Sequence, residues 1–169
     1  MTMATIRQAR ERDIGALVRM RWDFTWENRA GAAEGYDRFE AECRAFLTEA
    51  MKSGRWRIWV AEADGMVISH IYVQLIDKVP RPGRETRPFG YVTNVYTVPA
   101  YRSRGIGSLL MEAVRQWARE NDLEFLIVWP AEESVVFYQR AGFRPCTEPM
   151  ELFFACGVPR TGAAMLASI

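Results

Sequence analysis

Residues 98–110, Val98-Pro99-Ala100-Tyr101-Arg102-Ser103-Arg104-Gly105-Ile106-Gly107-Ser108-Leu109-Leu110, constrain this chain more than any other stretch. They join a β-rich run, Tyr91 to Val98, to a helix through a turn carrying two glycines. Beyond the turn, Ile106, Leu109, Leu110, Ala113, Val114 and Trp117 fall on one helical face, the stripe of a helix laid against a sheet. The apolar run Phe125 to Trp129 then reads as a buried strand. Strand, helix and strand in that order imply a crossover between parallel neighbours, and the loop that opens the helix is the place for a ligand.

Upstream elements complete the outline. Thr5 to Arg10 alternates like a strand, and Asp13 stands as N-cap before Ile14, Leu17, Val18 and Arg21 at helical spacing. The turn-prone segment 28–35 precedes a second helix, Tyr36 to Lys52, which Gly54 stops. Trp56 to Glu62 and Met66 to Leu75 flank Asp64-Gly65, a dipeptide favoured in type I′ hairpins. A Pro/Arg/Gly loop, Val79 to Pro88, leads into the Tyr91 strand. Downstream, Ser134 to Ala141 reads as a short helix closed by Gly142, and Met150 to Phe154 as a last strand.

Composition narrows the function. The chain has 169 residues, the size of one domain, and 22 Lys plus Arg balance 21 Asp plus Glu to a net charge of +1. That balance argues against a general nucleic-acid binder, and the Arg81, Arg84 and Arg87 group reads first as a solvated loop. Cys43, Cys146 and Cys156 are an odd number without CxxC spacing, so they suggest neither a disulfide framework nor a zinc site. No apolar run approaches the roughly 18 residues of a membrane span, and charges occupy the start where a signal peptide needs an apolar core. A cytoplasmic protein with no membrane partner is the expectation.

The turn at 102–108 suits a phosphate. The first N–H groups of a helix lack intrahelical partners and lie at the positive end of its dipole, and glycines admit close approach. Arg102 and Arg104 add charge. A Walker A loop would need Gly-Lys-Ser/Thr, but Ser108 and Leu109 follow Gly107. A dinucleotide fingerprint would need a third glycine where Leu110 stands. What remains is Arg-x-x-Gly-x-Gly at 102–107, which resembles the pyrophosphate signature of the GCN5-related N-acetyltransferase (GNAT) superfamily. NVYTVPAYR before it resembles the family's strand and connection, and SVVFYQRAGFRP at 134–145 its downstream helix with a Tyr-x-x-x-Gly-Phe ending.

The resemblance implies an α/β (α+β) GNAT fold: a mixed, mostly antiparallel sheet of six to seven strands flanked by about four helices. Residues 1–154 would form a single domain and 155–169 a C-terminal tail. It implies an N-acetyltransferase using acetyl-CoA as acetyl donor, no metal, and a primary amine of a small molecule or peptide as acceptor, attacked directly in a ternary complex. Homodimers are common in the family. The main chain of Tyr96, Thr97 and Val98 would pair with the pantetheine arm, and Arg102, Ser103, Arg104, Gly105, Ile106, Gly107 and Ser108 would hold the diphosphate. Tyr138 matches the tyrosine near the CoA sulfur and is the catalytic candidate. The chain departs from the pattern in two places: its strand YVTNVYTV carries no carboxylate, and Ala131 stands where several relatives have asparagine. For a base, Glu27 and Asp77 are weak candidates, and His70 reads first as a packed or surface imidazole. Trp22, Phe24, Trp26 and Glu27 form an aromatic and acidic group that suits a cationic amine if it is not simply core. The competing reading is a non-catalytic acyl-CoA-binding regulatory module.

Overall fold

The computed structural model describes residues 4–27, 34–150 and 152. The chain divides into two compact units, Met1–Val128 and Trp129–Ile169. In the first, β1 (Thr5–Gln8) precedes α1 (Ile14–Trp26) and α2 (Tyr36–Lys52). Then come β2 (Trp56–Ala63), β3 (Met66–Ile76), β4 (Phe89–Thr97), α3 (Ile106–Glu120) and β5 (Leu126–Val128). The second holds α4 (Val135–Arg140).

The five strands lie in sequence order, each antiparallel to the next except β4 and β5, which run parallel. The β2–β3 hairpin closes at Asp64 and Gly65, with φ of 50° and 76°, the paired left-handed conformations that this dipeptide tolerates and most residues resist. Strand alternation divides the core into two. Ile58, Val60 and Tyr72 face Ile14, Leu17, Val18 and Leu47 of α1 and α2. Ile71, Val73 and Val92 lie on the opposite pleats and are also fully buried, which falls to α3, whose Leu110, Met111 and Val114 are inaccessible to solvent.

Gly90 marks the tightest approach in the sheet. A Cβ there would lie 2.6 Å from Leu126 Cδ2 and 2.9 Å from Val73 Cγ1. Gly90→Val is therefore expected to destabilise the protein by about 1–3 kcal/mol through overpacking, read as a lower urea midpoint with unchanged slope. An unshifted midpoint would mean that β5 yields freely.

The sequence expectations meet three differences. Five strands are present among the described residues, against six to seven expected. The strand expected at 150–154 falls mostly outside the described residues, and Met150 and Leu152 stand exposed outside any strand. Asp13 precedes α1 but makes no side-chain cap to it. Its carboxylate turns back to accept the Arg10 N–H at 2.7 Å and the Arg7 guanidinium at 2.7 and 2.9 Å. A nearby cation outcompetes the helix amides for this nearly buried carboxylate, and the ion pair holds its pKa below the ordinary value.

Candidate active site

Two features of β4 set the site. First, Tyr72 pairs with Thr93 and His70 with Tyr96, so Ile71 alone on β3 spans Asn94 and Val95 on β4. This is a β-bulge, and Asn94 takes a left-handed φ of 46°. Sequence reasoning passed over it. The available signal was an asparagine inside a β-branched run, since asparagine is among the few residues that adopt this conformation readily. Second, β5 follows β4 only from Gly90–Leu126 to Val92–Val128. From Thr93 onward, that edge of β4 has no strand beside it among the described residues.

Three candidate residues lie at the end of this edge, and their main chains point in different directions. The Val98 N–H donates to the Ile68 carbonyl at 3.0 Å, and the Tyr96 carbonyl accepts from Ser69 Oγ at 2.8 Å, so both turn toward β3. Strand alternation turns Thr97 the other way, to the open edge. There the Thr97 carbonyl accepts Arg102 Nε at 2.9 Å, and its N–H faces outward.

The connection continues as a 3-10 turn, Pro99–Tyr101, and then as an exposed loop in which Ser103 and Gly105 adopt φ of 59° and 77°. Left-handed residues interleaved with ordinary ones fold N–H groups into a concavity suited to an anion. Gly105 is the N-cap of α3, and no side chain caps the helix. The intrahelical ladder begins with Leu109 N–H to the Gly105 carbonyl at 3.1 Å, so the amides of Ile106, Gly107 and Ser108 precede it. Buried Ile106 and Leu110 anchor this first turn to the sheet while Ser108 stays exposed. Arg104 lies with its guanidinium carbon 5.3 Å from the Tyr101 ring centre.

Arg102 is engaged differently. Its guanidinium forks onto both oxygens of Glu27, with Nη2 to Oε2 at 2.7 Å, and its central carbon lies 5.4 Å from the Tyr96 ring centre. The Arg102 hydrogen bond holds Glu27 below the usual carboxylate range, so this carboxylate is a poor proton acceptor. Burial, reinforced by the Glu27 charge, pushes the Tyr96 hydroxyl up to about 12.

His70 is fully buried, with neither ring nitrogen in a well-formed hydrogen bond. Burial pushes its pKa down to about 3, with the Arg21 charge adding to the shift and nearby Asn94 opposing it. It is therefore a neutral packed imidazole between the Tyr72 and Tyr96 rings, 5.1 and 5.9 Å away. Arg21 Nη1 reaches Asn94 Oδ1 at 3.3 Å.

The aromatic group divides. Trp22 packs among Trp26, Tyr36 and Phe39 at 5.1–5.5 Å, joining α1 to α2, while Phe24 lies 5.1 Å from Tyr96. Asp77 is exposed just past β3. Cys43 is half-buried on α2, its thiol pushed up by burial, and Cys146 is exposed, while Cys156 lies outside the described residues. In the basic loop, Arg84 and Lys78 pair with Glu124, and Arg87 pairs with Glu85 and Asp122.

In the second unit, Ala131 caps a 3-10 turn, Glu132–Ser134, that runs into α4. Tyr138 on α4 is buried, its ring 5.0 Å from Phe137 and 5.5 Å from Phe143. Its carbonyl accepts the Phe143 N–H at 3.0 Å, past the left-handed turn at Gly142 with φ 90°.

Solved structures share this architecture. A crystal structure described as a predicted acetyltransferase with acetyl-CoA, from Clostridium acetobutylicum, superposes with a TM-score of 0.74 at 24% identity, over 89% of this chain and 96% of that one. A GCN5-related N-acetyltransferase from Ralstonia eutropha JMP134 gives 0.70 at 25% identity, over 89% and 99%. The fold is thus that of the GNAT acetyltransferases. Residues 54–145 match the family described as "Acetyltransferase (GNAT) domain", and this chain belongs to that family. Among curated proteins it is similar to the glucosamine 6-phosphate N-acetyltransferase of Trypanosoma brucei brucei, 25% identical over 96 residues, which are 57% of this chain and 63% of that relative.

Proposed function

We propose that this chain is an acetyl-CoA-dependent N-acetyltransferase acting on a primary amine by direct attack in a ternary complex. The observation that carries this reading is the run of uncapped amides at Ile106, Gly107 and Ser108, set in an exposed glycine loop directly after a strand edge that has no strand beside it among the described residues. The loop main chain from Arg102 to Ser108 receives the diphosphate of CoA. The Thr97 N–H, flanked by Tyr96 and Val98, meets an amide carbonyl of the pantetheine arm as an added strand would. Tyr138 carries over from the family signature as the hydrogen-bond donor to the CoA sulfur. The trypanosomal relative supports a small-molecule amine as acceptor.

The acceptor nitrogen attacks the thioester carbon, the tetrahedral adduct expels CoA thiolate, and the nitrogen loses a proton. Glu27 is held low by Arg102 and His70 is sealed in the core, so neither is a base suited to neutral pH. The proton passes to water, and the enzyme acts on the minor neutral form of an amine whose pKa is about 10.

Thiol release from acetyl-CoA over a panel of amines, paired with calorimetry for CoA, tests the reading. For a simple alkylamine, kcat/KM is expected to rise about tenfold per pH unit from about pH 6.5 to 8.5, without a break near 6.5. A plateau above pH 7 would reveal a protein base and overturn the water route. CoA binding without turnover on any amine would favour the regulatory module, the reading that fits the lack of a poised base among the described residues. Failure to bind CoA would end both.

A further inference from the structure

We propose that Glu27 and Arg102 form a clasp that fixes the cofactor-binding edge of β4, making Glu27, at the C-terminal end of α1, a positioning residue for acetyl-CoA. The proposal rests on the acetyl-CoA reading above and assigns Arg102 a task other than contact with phosphate. Every donor direction used by its guanidinium is directed inward: Nη1 and Nη2 fork onto Glu27, and Nε donates to the Thr97 carbonyl at 2.9 Å. The Tyr96 ring flanks the guanidinium, and Phe24 of α1 lies 5.1 Å from that ring. Three elements, the end of α1, the end of β4 and the start of the glycine loop, thus meet on one planar cation.

Glu27 also stands where local preference opposes it. It is the C-cap of α1, next to the negative end of the helix dipole, with Asp23 one turn earlier. A carboxylate there is disfavoured by the helix itself, so a tertiary partner must offset it. Glu27 is 24% and Arg102 43% exposed, too open for such a pair to add much stability by itself. Its geometry is more informative than its energy. A bidentate fork plus a third bond from Nε leaves Arg102 one orientation, and that orientation caps the Thr97 carbonyl. With the Thr97 carbonyl occupied, the group this residue leaves for a ligand is its N–H, which would meet a carbonyl of the pantetheine arm.

The test compares acetyl-CoA with S-acetyl-pantetheine, which carries the same thioester arm without the diphosphate or nucleotide. Glu27→Gln is expected to raise KM about fivefold for both donors, with kcat within about twofold. Arg102→Gln should do the same, and the double variant should be no worse than the worse single, because partners in one clasp are not additive. Calorimetry with CoA repeats the cycle at equilibrium, and circular dichroism verifies that each variant is folded. If Glu27→Gln will not fold, Glu27→Asp, which keeps the charge and shortens the reach, should give a smaller loss in the same pattern. Three results would overturn the clasp. One is unchanged KM in Glu27→Gln; another is strict additivity in the cycle. The third is a gain for acetyl-CoA alone, which would mean that freeing Arg102 releases it to the diphosphate. Wild-type protein that binds no CoA would instead defeat the underlying function, a distinguishable failure.

Discussion

Tyr138→Phe is expected to slow acetyl transfer at least about tenfold while leaving CoA affinity within about twofold. The substitution removes one hydroxyl and keeps the ring that packs against Phe137 and Phe143, so α4 should fold as before. What is lost is a hydrogen bond that matters most as negative charge gathers on sulfur, and an interaction stronger in the transition state than in the ground state lowers kcat when removed. In the proposed mechanism Tyr138 gives a hydrogen bond rather than a full proton. An ordinary phenol, with a pKa near 10, would give its proton to a thiolate near 8.5 uphill by roughly 2 kcal/mol. Single-turnover thiol release under saturating acetyl-CoA measures the step, and calorimetry measures the affinity. A variant as fast as wild type would remove Tyr138 from the mechanism.

The second large effect is on stability. His70 is held neutral in the core with a pKa near 3, while an unfolded chain protonates it near 6.5. As pH falls below 6.5, the unfolded state takes up a proton that the folded state refuses. The stability is therefore complete above pH 6.5 and drains away as pH drops toward 3. Integrated over one site, about 2 kcal/mol should be lost between pH 7 and 5, before most carboxylates titrate. Urea unfolding at pH 7, 6 and 5 measures it, and His70→Gln, which cannot take the proton, should flatten the trend. A wild-type midpoint constant from pH 7 to 5 would show that the imidazole is solvated. The Asp13–Arg7 pair contributes in a lower window: with the Asp13 pKa held below its ordinary value, that contribution is lost only as pH falls through the acidic range.

Some elements could be read directly from the residues. The stripe Ile106, Leu110, Val114 and Trp117 defines α3, and Asp64-Gly65 the hairpin. The Asn94 bulge was written in the sequence less plainly, because one asparagine in a strand has several local explanations. The extent of β5 was legible to within one residue at each end, but its burial was not, since Leu126, Ile127 and Val128 are only half-buried where the apolar run suggests a buried strand. Phe125 and Trp129 continue its apolar run, yet strand pairing stops at Val128.

By itself, the sequence determined the order of helices and strands, the glycine loop and its family signature, because periodicity, turn chemistry and capping act between residues close together in the chain. The tertiary structure alone decided which way the Thr97 main chain faces, that Glu27 is tied to Arg102 across 75 positions of sequence, and that His70 is sealed from solvent. These depend on strand register, on a bulge and on burial. Each arises from packing between distant segments, and no local pattern of side chains encodes it.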